Sequence, residues 1–384
     1  MSRMDAPPAA ALARLVDDVP PEVFDGGFRT ACARLDTYVE ALACELAASL
    51  GLADGRLRNV DVIIGERGWS ECARWPLAWL FDTLELFGRA TREGDRFAVP
   101  PATGVRPTGE LREEAERLVP SAAPAYDVLE LSAQALPAVL RGEARGEDVL
   151  FSPATLSLWF DYFSNANPLY APNNRLTAIA VARAAPAGAR LLELGGGGGS
   201  AAQAVLGELV AAGKPPARYV FTELHPAFLR RGTRTAQAAA PAGCELTGMR
   251  LDIDQDFAAA GLAAGSFDAV LAVNTLHLAH DPVTTLRRLR ELLAPGGAVV
   301  LGELVRPRGT GGVHLELPFT LLEAYRNAPL VEGIRSRPGF MTGAGWKHAF
   351  ESAGFATTTV LPAALERCTD LYAGFYCAAL TARG

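Results

Sequence analysis

The sequence predicts an α/β fold: a Rossmann-like, doubly wound, mostly parallel seven-stranded sheet with an antiparallel C-terminal strand, preceded by a helical N-terminal domain. Three observations predict it. From about residue 175, short apolar runs alternate with helical segments, which implies a parallel sheet covered on both faces. One of those runs ends in five consecutive glycines, Gly195–Gly199, and a helix follows. Before residue 150 the periodicity is mainly helical.

The elements follow in order. Residues 1–24 are rich in Pro and Ala and read as a loose arm. Phe28, Cys32, Leu35, Val39, Leu42, Leu46 and Leu50 recur at three or four, the pattern of an amphipathic helix. Trp75 to Phe87 reads as a second, more buried helix, and Arg92 to Val99 as a short hairpin turning at Gly94-Asp95. Two further helical segments lie near 110–119 and 124–140. Helix, helix and small hairpin resemble a winged helix, here read as a cap or dimerisation module over residues 1–150. A second domain is expected over 151–384, with a substrate-lid insertion at about 307–345. Its strands are expected at Arg190–Leu194, Tyr219–Thr222, Met249–Leu251, Asp268–Val273 and Ala298–Leu301, with Ala356–Leu361 and Phe375–Leu380 pairing antiparallel at the end.

Composition narrows the function. The 384 residues are 49% hydrophobic and 21% charged, with a net charge of −7, as in ordinary globular chains. Residues 1–150 hold 16 arginines, no lysine and 25 acidic residues, so a phosphate-backbone binder is not expected there. The six cysteines are scattered without a CxxC pair, which argues against a disulfide framework or a zinc knuckle. Neither a signal peptide nor an apolar run of membrane-spanning length is visible, so a cytoplasmic location without membrane or nucleic-acid partners is expected.

The strongest motif is Leu191-Leu192-Glu193-Leu194 followed by the glycines and Ser200. Glycines let the backbone turn sharply and let a ligand approach without meeting a Cβ. No GK[ST] follows, which excludes a P-loop. The spacing Gly195-x-Gly197-x-x-Ser200 approximates a dinucleotide fingerprint and leaves an NAD-dependent oxidoreductase open. An acidic residue at the turn, Glu193, would repel a pyrophosphate and suits a cationic ligand such as S-adenosylmethionine. Glu223 ends the second strand, where a carboxylate can take ribose hydroxyls, and Leu224 follows it. Asp252-Ile253 follows the third strand and can offer an acceptor to an adenine amine. Asn274 follows the fourth. Such residues at consecutive strand ends lie along one edge of the sheet, where open α/β sheets bind ligands. With Gly195, Gly197 and Gly199 they form the expected cofactor site. Tyr170 and Asn174, in DYFSNANPLYAPNNR, precede the turn and complete the expected cofactor site, the segment's aromatic residues reading either as core or as a lid folded across the cofactor.

The segment Leu191–Arg306 resembles a class I S-adenosylmethionine-dependent methyltransferase. More narrowly, FTELHPAFL, RLDIDQDF, GSFDAVLAVNTLHLAHDPVTTLRRLRELLAPGGAVVLGELVRP and LPFTLLEAY are similar to the C-methyltransferase domains of polyketide synthases. The similarity runs from about 125 to 362. The family usually has Asp where Glu223 stands, and no carrier-protein serine motif is visible.

The resemblance implies a catalytic His/Glu dyad, which maps onto His277 and Glu303. If the fourth and fifth strands are adjacent and parallel, both side chains emerge at one edge. A carboxylate beside an imidazole orients it and favours proton abstraction from carbon or hydroxyl. The implied reaction is methyl transfer to a carbon next to a carbonyl, on a small-molecule or carrier-bound acceptor. Oxygen methylation is the alternative. A metal site from His277 or His280 with His314, as in metal-dependent α-keto-acid C-methyltransferases, has no HxxxH or HExxH spacing behind it, and no metal is expected. Leu317–Tyr325 is apolar enough to wall an acceptor pocket, and Trp346 is expected on a helix packed against the last strands. A homodimer is implied by analogy with winged-helix methyltransferases.

Overall fold

The computed structural model describes residues 18–306, 314–363 and 377–383. Helix α1 (Gly26–Ser49) carries the amphipathic pattern, and the Asp25 side chain caps it by accepting from the Phe28 amide. Its buried stripe includes Phe28, Leu35, Tyr38, Val39 and Leu42. Then come α2 (Val60–Arg67), α3 (Arg74–Leu86) and the hairpin β1 (Thr91–Glu93) and β2 (Arg96–Ala98). Helices α4 (Thr108–Leu118), α5 (Ala123–Leu140), α6 (Gly146–Leu150) and α7 (Leu156–Tyr162) lead to α8 (Ala171–Ala184).

The arm expected over 1–24 is not loose where it is described. Residues 21–24 form a helical turn, and Val19, Val23 and Phe24 are buried. Phe24 packs on Phe28, and Arg175 and Arg183 of α8 donate to the carbonyls of Glu22 and Asp18. Residues 1–17 lie outside the described residues.

The second half alternates β3 (Arg190–Leu194), α9 (Ser200–Ala211), β4 (Arg218–Glu223), α10 (Pro226–Ala239), β5 (Glu245–Arg250), β6 (Phe267–Val273), α11 (Pro282–Leu292) and β7 (Leu293–Leu304). Two short helices, α12 (Leu317–Thr320) and α13 (Glu323–Arg326), precede α14 (Gly343–Ser352), β8 (Thr357–Leu361) and β9 (Cys377–Arg383). The seven-stranded sheet has the order β5-β4-β3-β6-β7-β9-β8, and β9 runs opposite in direction to the other six strands. The expected pairing of the last two strands is therefore present.

The third strand begins earlier than Met249. It is an edge strand with no buried residue, which leaves few apolar positions to mark it. One face of the sheet packs on α8 and α9, and that core runs without a break into the N-terminal helices. The other face packs on α11 and α14, where Trp346 and Phe350 are fully buried, as expected for Trp346. Strand order reverses between β3 and β6, so the carboxyl ends of these two strands form the crevice in which α/β sheets take ligands.

Candidate active site

The glycine turn occupies that crevice. Gly195, Gly197 and Gly199 have φ of 58°, 55° and 87°, a left-handed backbone that side chains rarely adopt. A Cβ at Gly195 would lie 2.4 Å from Thr275 Cγ2, so this flank is sealed against the loop after β6. At Gly197 a Cβ would meet nothing within 4 Å, so the other flank is open.

Glu193 lies beneath the turn and is fully buried. Strand alternation puts it on the face of Leu191, and its Oε2 accepts from the Tyr219 hydroxyl at 2.9 Å. Its Oε1 has no hydrogen-bond partner. Burial pushes its carboxyl up to about 8; the Tyr219 hydrogen bond opposes that shift and the nearby Glu223 adds to it. Glu223 ends β4 as expected. Its Oε2 accepts from the Gly197 amide at 3.0 Å and its Oε1 from the His225 amide at 2.9 Å, so it braces the turn and the start of α10.

Asn274 is the one non-glycine among the described residues with positive φ (48°). Its amide donates to Gly302 O at 2.7 Å and its Oδ1 accepts from Leu304 N at 2.9 Å, which prolongs the pairing of β6 and β7 past Val273. Burial pushes the Tyr170 phenol up, and the neighbouring Asn274 side chain opposes that shift. Asn174 is fully buried. Its Nδ2 donates to Asn165 Oδ1 and to Ser200 Oγ, while its Oδ1 has no partner. Tyr170 and Asn174 thus reach the turn from the start of α8. Asp252 and Ile253 sit just past β5: Asp252 Oδ1 accepts from Asp254 N, and Ile253 packs against the second core. Leu224 is 44% exposed and stands at the outer rim.

His277 and Glu303 meet. Strands β6 and β7 are adjacent and parallel, with Val273 opposite Gly302. His277 Nδ1 lies 2.8 Å from Glu303 Oε2, and both residues are buried. Glu303 Oε1 accepts from the amides of Thr275 at 3.3 Å and Leu276 at 3.1 Å. One carboxylate therefore shapes the loop and holds the ring. A carboxylate at Nδ1 favours the proton there and leaves Nε2 as the acceptor.

The histidine ring is walled by aromatics, with Phe340 at 4.7 Å and Tyr325 at 5.7 Å between centroids. Phe319 packs on both walls. The Leu317–Tyr325 stretch forms two short helices that meet at Leu321-Leu322, and Tyr325 is the part that faces His277. A buried ion pair fixes the wall. Arg306 Nη1 donates to Glu316 Oε2 at 2.8 Å, its other terminal nitrogen donates to Glu316 Oε1, and the Tyr325 hydroxyl joins the same carboxylate. These partners escaped the sequence reading because they are separated along the chain and carry no motif. Period-two alternation from Leu191 and Tyr219 was the signal available for the Glu193–Tyr219 contact.

His280 is exposed, and its amide donates to Asp254. Among the described residues no group of three or more His, Cys, Asp or Glu is placed to hold a metal; the His314 side chain lies outside them. No helix among them is long and apolar enough to cross a membrane.

The sheet order, the glycine turn at its switch point and the His/Glu pair beside it define a class I methyltransferase fold. Residues 192–299 match the methyltransferase domain family, so the chain carries a methyltransferase domain and is an enzyme of that class. Polyketide synthase ThaQ of Burkholderia thailandensis is 31% identical over 311 residues, 74% of this chain and 14% of that synthase, so the chain spans a small part of the curated relative it matches. The CurJ carbon methyltransferase has 22% identity and a TM-score of 0.73, covering 98% of this chain and 96% of that one. The trans-methyltransferase CalH, in complex with SAH, has 23% identity and a TM-score of 0.61, covering 92% and 90%. The fold is thus that of carbon methyltransferases across nearly the whole chain.

Proposed function

We propose that this chain transfers a methyl group from S-adenosylmethionine to a carbon next to a carbonyl, on a small-molecule or carrier-bound polyketide acceptor. The His277–Glu303 pair, 2.8 Å apart beside the glycine turn, carries this reading. The residues of the crevice fit the donor. Glu193 Oε1 and Asn174 Oδ1 are buried acceptors without partners, suited to an ammonium, and Gly197 leaves open space above the turn. Glu223 stands where a ribose is held in this fold. When bound, S-adenosylmethionine supplies an electrophilic methyl on a positively charged sulfur. His277 Nε2 removes the acceptor proton, and Glu303 holds the ring and stabilises the imidazolium that results. The aromatic wall excludes water from that proton transfer. The polyketide synthase and carbon methyltransferase relatives support carbon as the methylated atom.

The test is incubation with methyl-labelled donor and a panel of β-keto thioesters, α-keto acids and phenols, with the label located by NMR. Label on the α-carbon of a β-keto thioester is expected; label on oxygen alone would replace the carbon assignment.

Two further results are expected. Glu303→Gln should lower turnover by about 10²-fold, because an amide that donates to Nδ1 moves the ring proton to Nε2. Equal turnover across the pH range would remove the orienting role. Glu193 supplies a pH effect. Its folded-state value near 8 exceeds the ordinary 4.5, so the folded chain still holds this proton near pH 7, and its contribution to stability is full below about pH 4.5 and lost as pH rises through about 8. A cation bound beside it would expel that proton. Calorimetry near pH 7 in buffers of different ionisation enthalpy should show proton release on S-adenosylmethionine binding, and Glu193→Gln should abolish it. Release that persists in the variant would assign the proton elsewhere.

A further inference from the structure

Asp82 lies on α3, in the N-terminal helical region, and is buried. Its two oxygens take two different arginines. Oδ1 accepts from Arg92 of the β1–β2 hairpin, and Oδ2 accepts from Arg337, which lies 255 residues further along the chain. The Arg337 guanidinium also lies 5.7 Å from the Trp75 ring of the same helix. Shielding strengthens the attraction but also costs desolvation, so removing one member of this three-residue cluster matters more than the cluster's net contribution to stability.

Arg337 opens the segment that reaches the histidine. Pro338 O and Phe340 O both accept from Arg306, at 3.1 Å and 2.6 Å. Gly339 has φ of 76°, and a Cβ there would fall 1.9 Å from Tyr325 Cζ, so only glycine lets the segment lie flat on that ring. The Phe340 amide donates to the Tyr325 hydroxyl at 3.1 Å, and the Phe340 ring packs on His277 at a tilt of 59°. Within four residues the chain runs from an anchor on α3 to the imidazole.

We propose that Asp82 is a positioning residue for methyl transfer. It acts through Arg337 to hold Phe340 and Tyr325 against His277, so the N-terminal region sets the geometry of the acceptor pocket. This rests on His277 being the base. Phe340 released from its anchor leaves the imidazole wall loose, and misplacement of that order costs acceptor turnover rather than donor binding.

Arg92 supplies the control, since it shares the Asp82 carboxylate but does not touch the segment. Asp82→Asn and Arg337→Gln are each expected to lower kcat/KM for a β-keto thioester by about 10- to 100-fold. S-adenosylhomocysteine affinity should be unchanged. The double variant should be no worse than either single one, and Arg92→Gln should stay near wild type. Hydrogen exchange at the Phe340 amide, which needs no turnover, should quicken about tenfold or more in the first two variants only. The proposal is overturned if Arg92→Gln reproduces the loss, or if Phe340 exchange in Arg337→Gln, whose partly exposed side chain makes it the milder change, matches wild type. Failure of the base assignment would show separately, as full turnover in His277→Ala with the exchange pattern intact.

Discussion

His277→Ala is expected to lower turnover by about 10²–10⁴-fold while S-adenosylhomocysteine binds as before. The separation follows from the hydrogen bonds. Glu303 Oε1 holds the Thr275 and Leu276 amides independently of the imidazole, so the loop after β6 keeps its shape when the ring is gone. Thr275 in turn keeps its hydroxyl on Gly195 O at 3.2 Å, so the glycine turn keeps its support. Single-turnover kinetics with labelled donor, beside calorimetry with S-adenosylhomocysteine, measure the two effects apart. Wild-type turnover in the variant would remove His277 from the chemistry.

Gly195→Ala should instead weaken donor binding. At φ 58° an alanine costs about 1–2 kcal/mol of backbone energy. Its Cβ would also be 2.4 Å from Thr275 Cγ2, a contact relieved only by moving the turn or the loop. Together these predict a loss of S-adenosylhomocysteine affinity of about 10²-fold or more, with turnover falling alongside because Thr275 also bonds Glu303. Gly197→Ala is the useful comparison. It carries the same left-handed backbone strain (φ 55°) but its Cβ meets no protein atom within 4 Å, so the difference between the two variants isolates the Thr275 clash from the strain. Unchanged affinity in Gly195→Ala would mean the turn is not where the donor binds.

How much of this was legible in the sequence depends on what kind of contact is at issue. Strand β3 is bounded as read, at Arg190–Leu194, because it is central, buried from Leu191 onward and ended by glycine. Strand β7 begins five residues before Ala298, since Leu293 pairs with Phe267 across an irregular register that no local pattern announces. Helix α2 left no amphipathic trace, and α8 is buried almost all round, so neither shows a polar and an apolar side to read. In the site, His277 and Glu303 were legible because both sit at ends of adjacent parallel strands, where order in sequence becomes neighbourhood in space. The Glu193 carboxylate at the turn was visible too, but its burial against Tyr219 depended on strand pairing. Arg306–Glu316 and Asp82–Arg337 depend on how the segment after β7 folds back, and charge alone does not say which of 36 basic and 43 acidic residues will meet.

Strand β9 lies between β7 and β8, paired antiparallel to both. A nascent polypeptide leaving the ribosome therefore carries β7, with Glu303 on it, as a raw edge until residues 377–383 have been made. Strand β8 has no neighbour at all until then. The element that completes the hydrogen-bond ladder beside the His277–Glu303 pair is made after every other strand of the sheet, so growing chains pass through a stage with an unsealed strand, the condition in which chains most readily join one another and in which chaperones are needed.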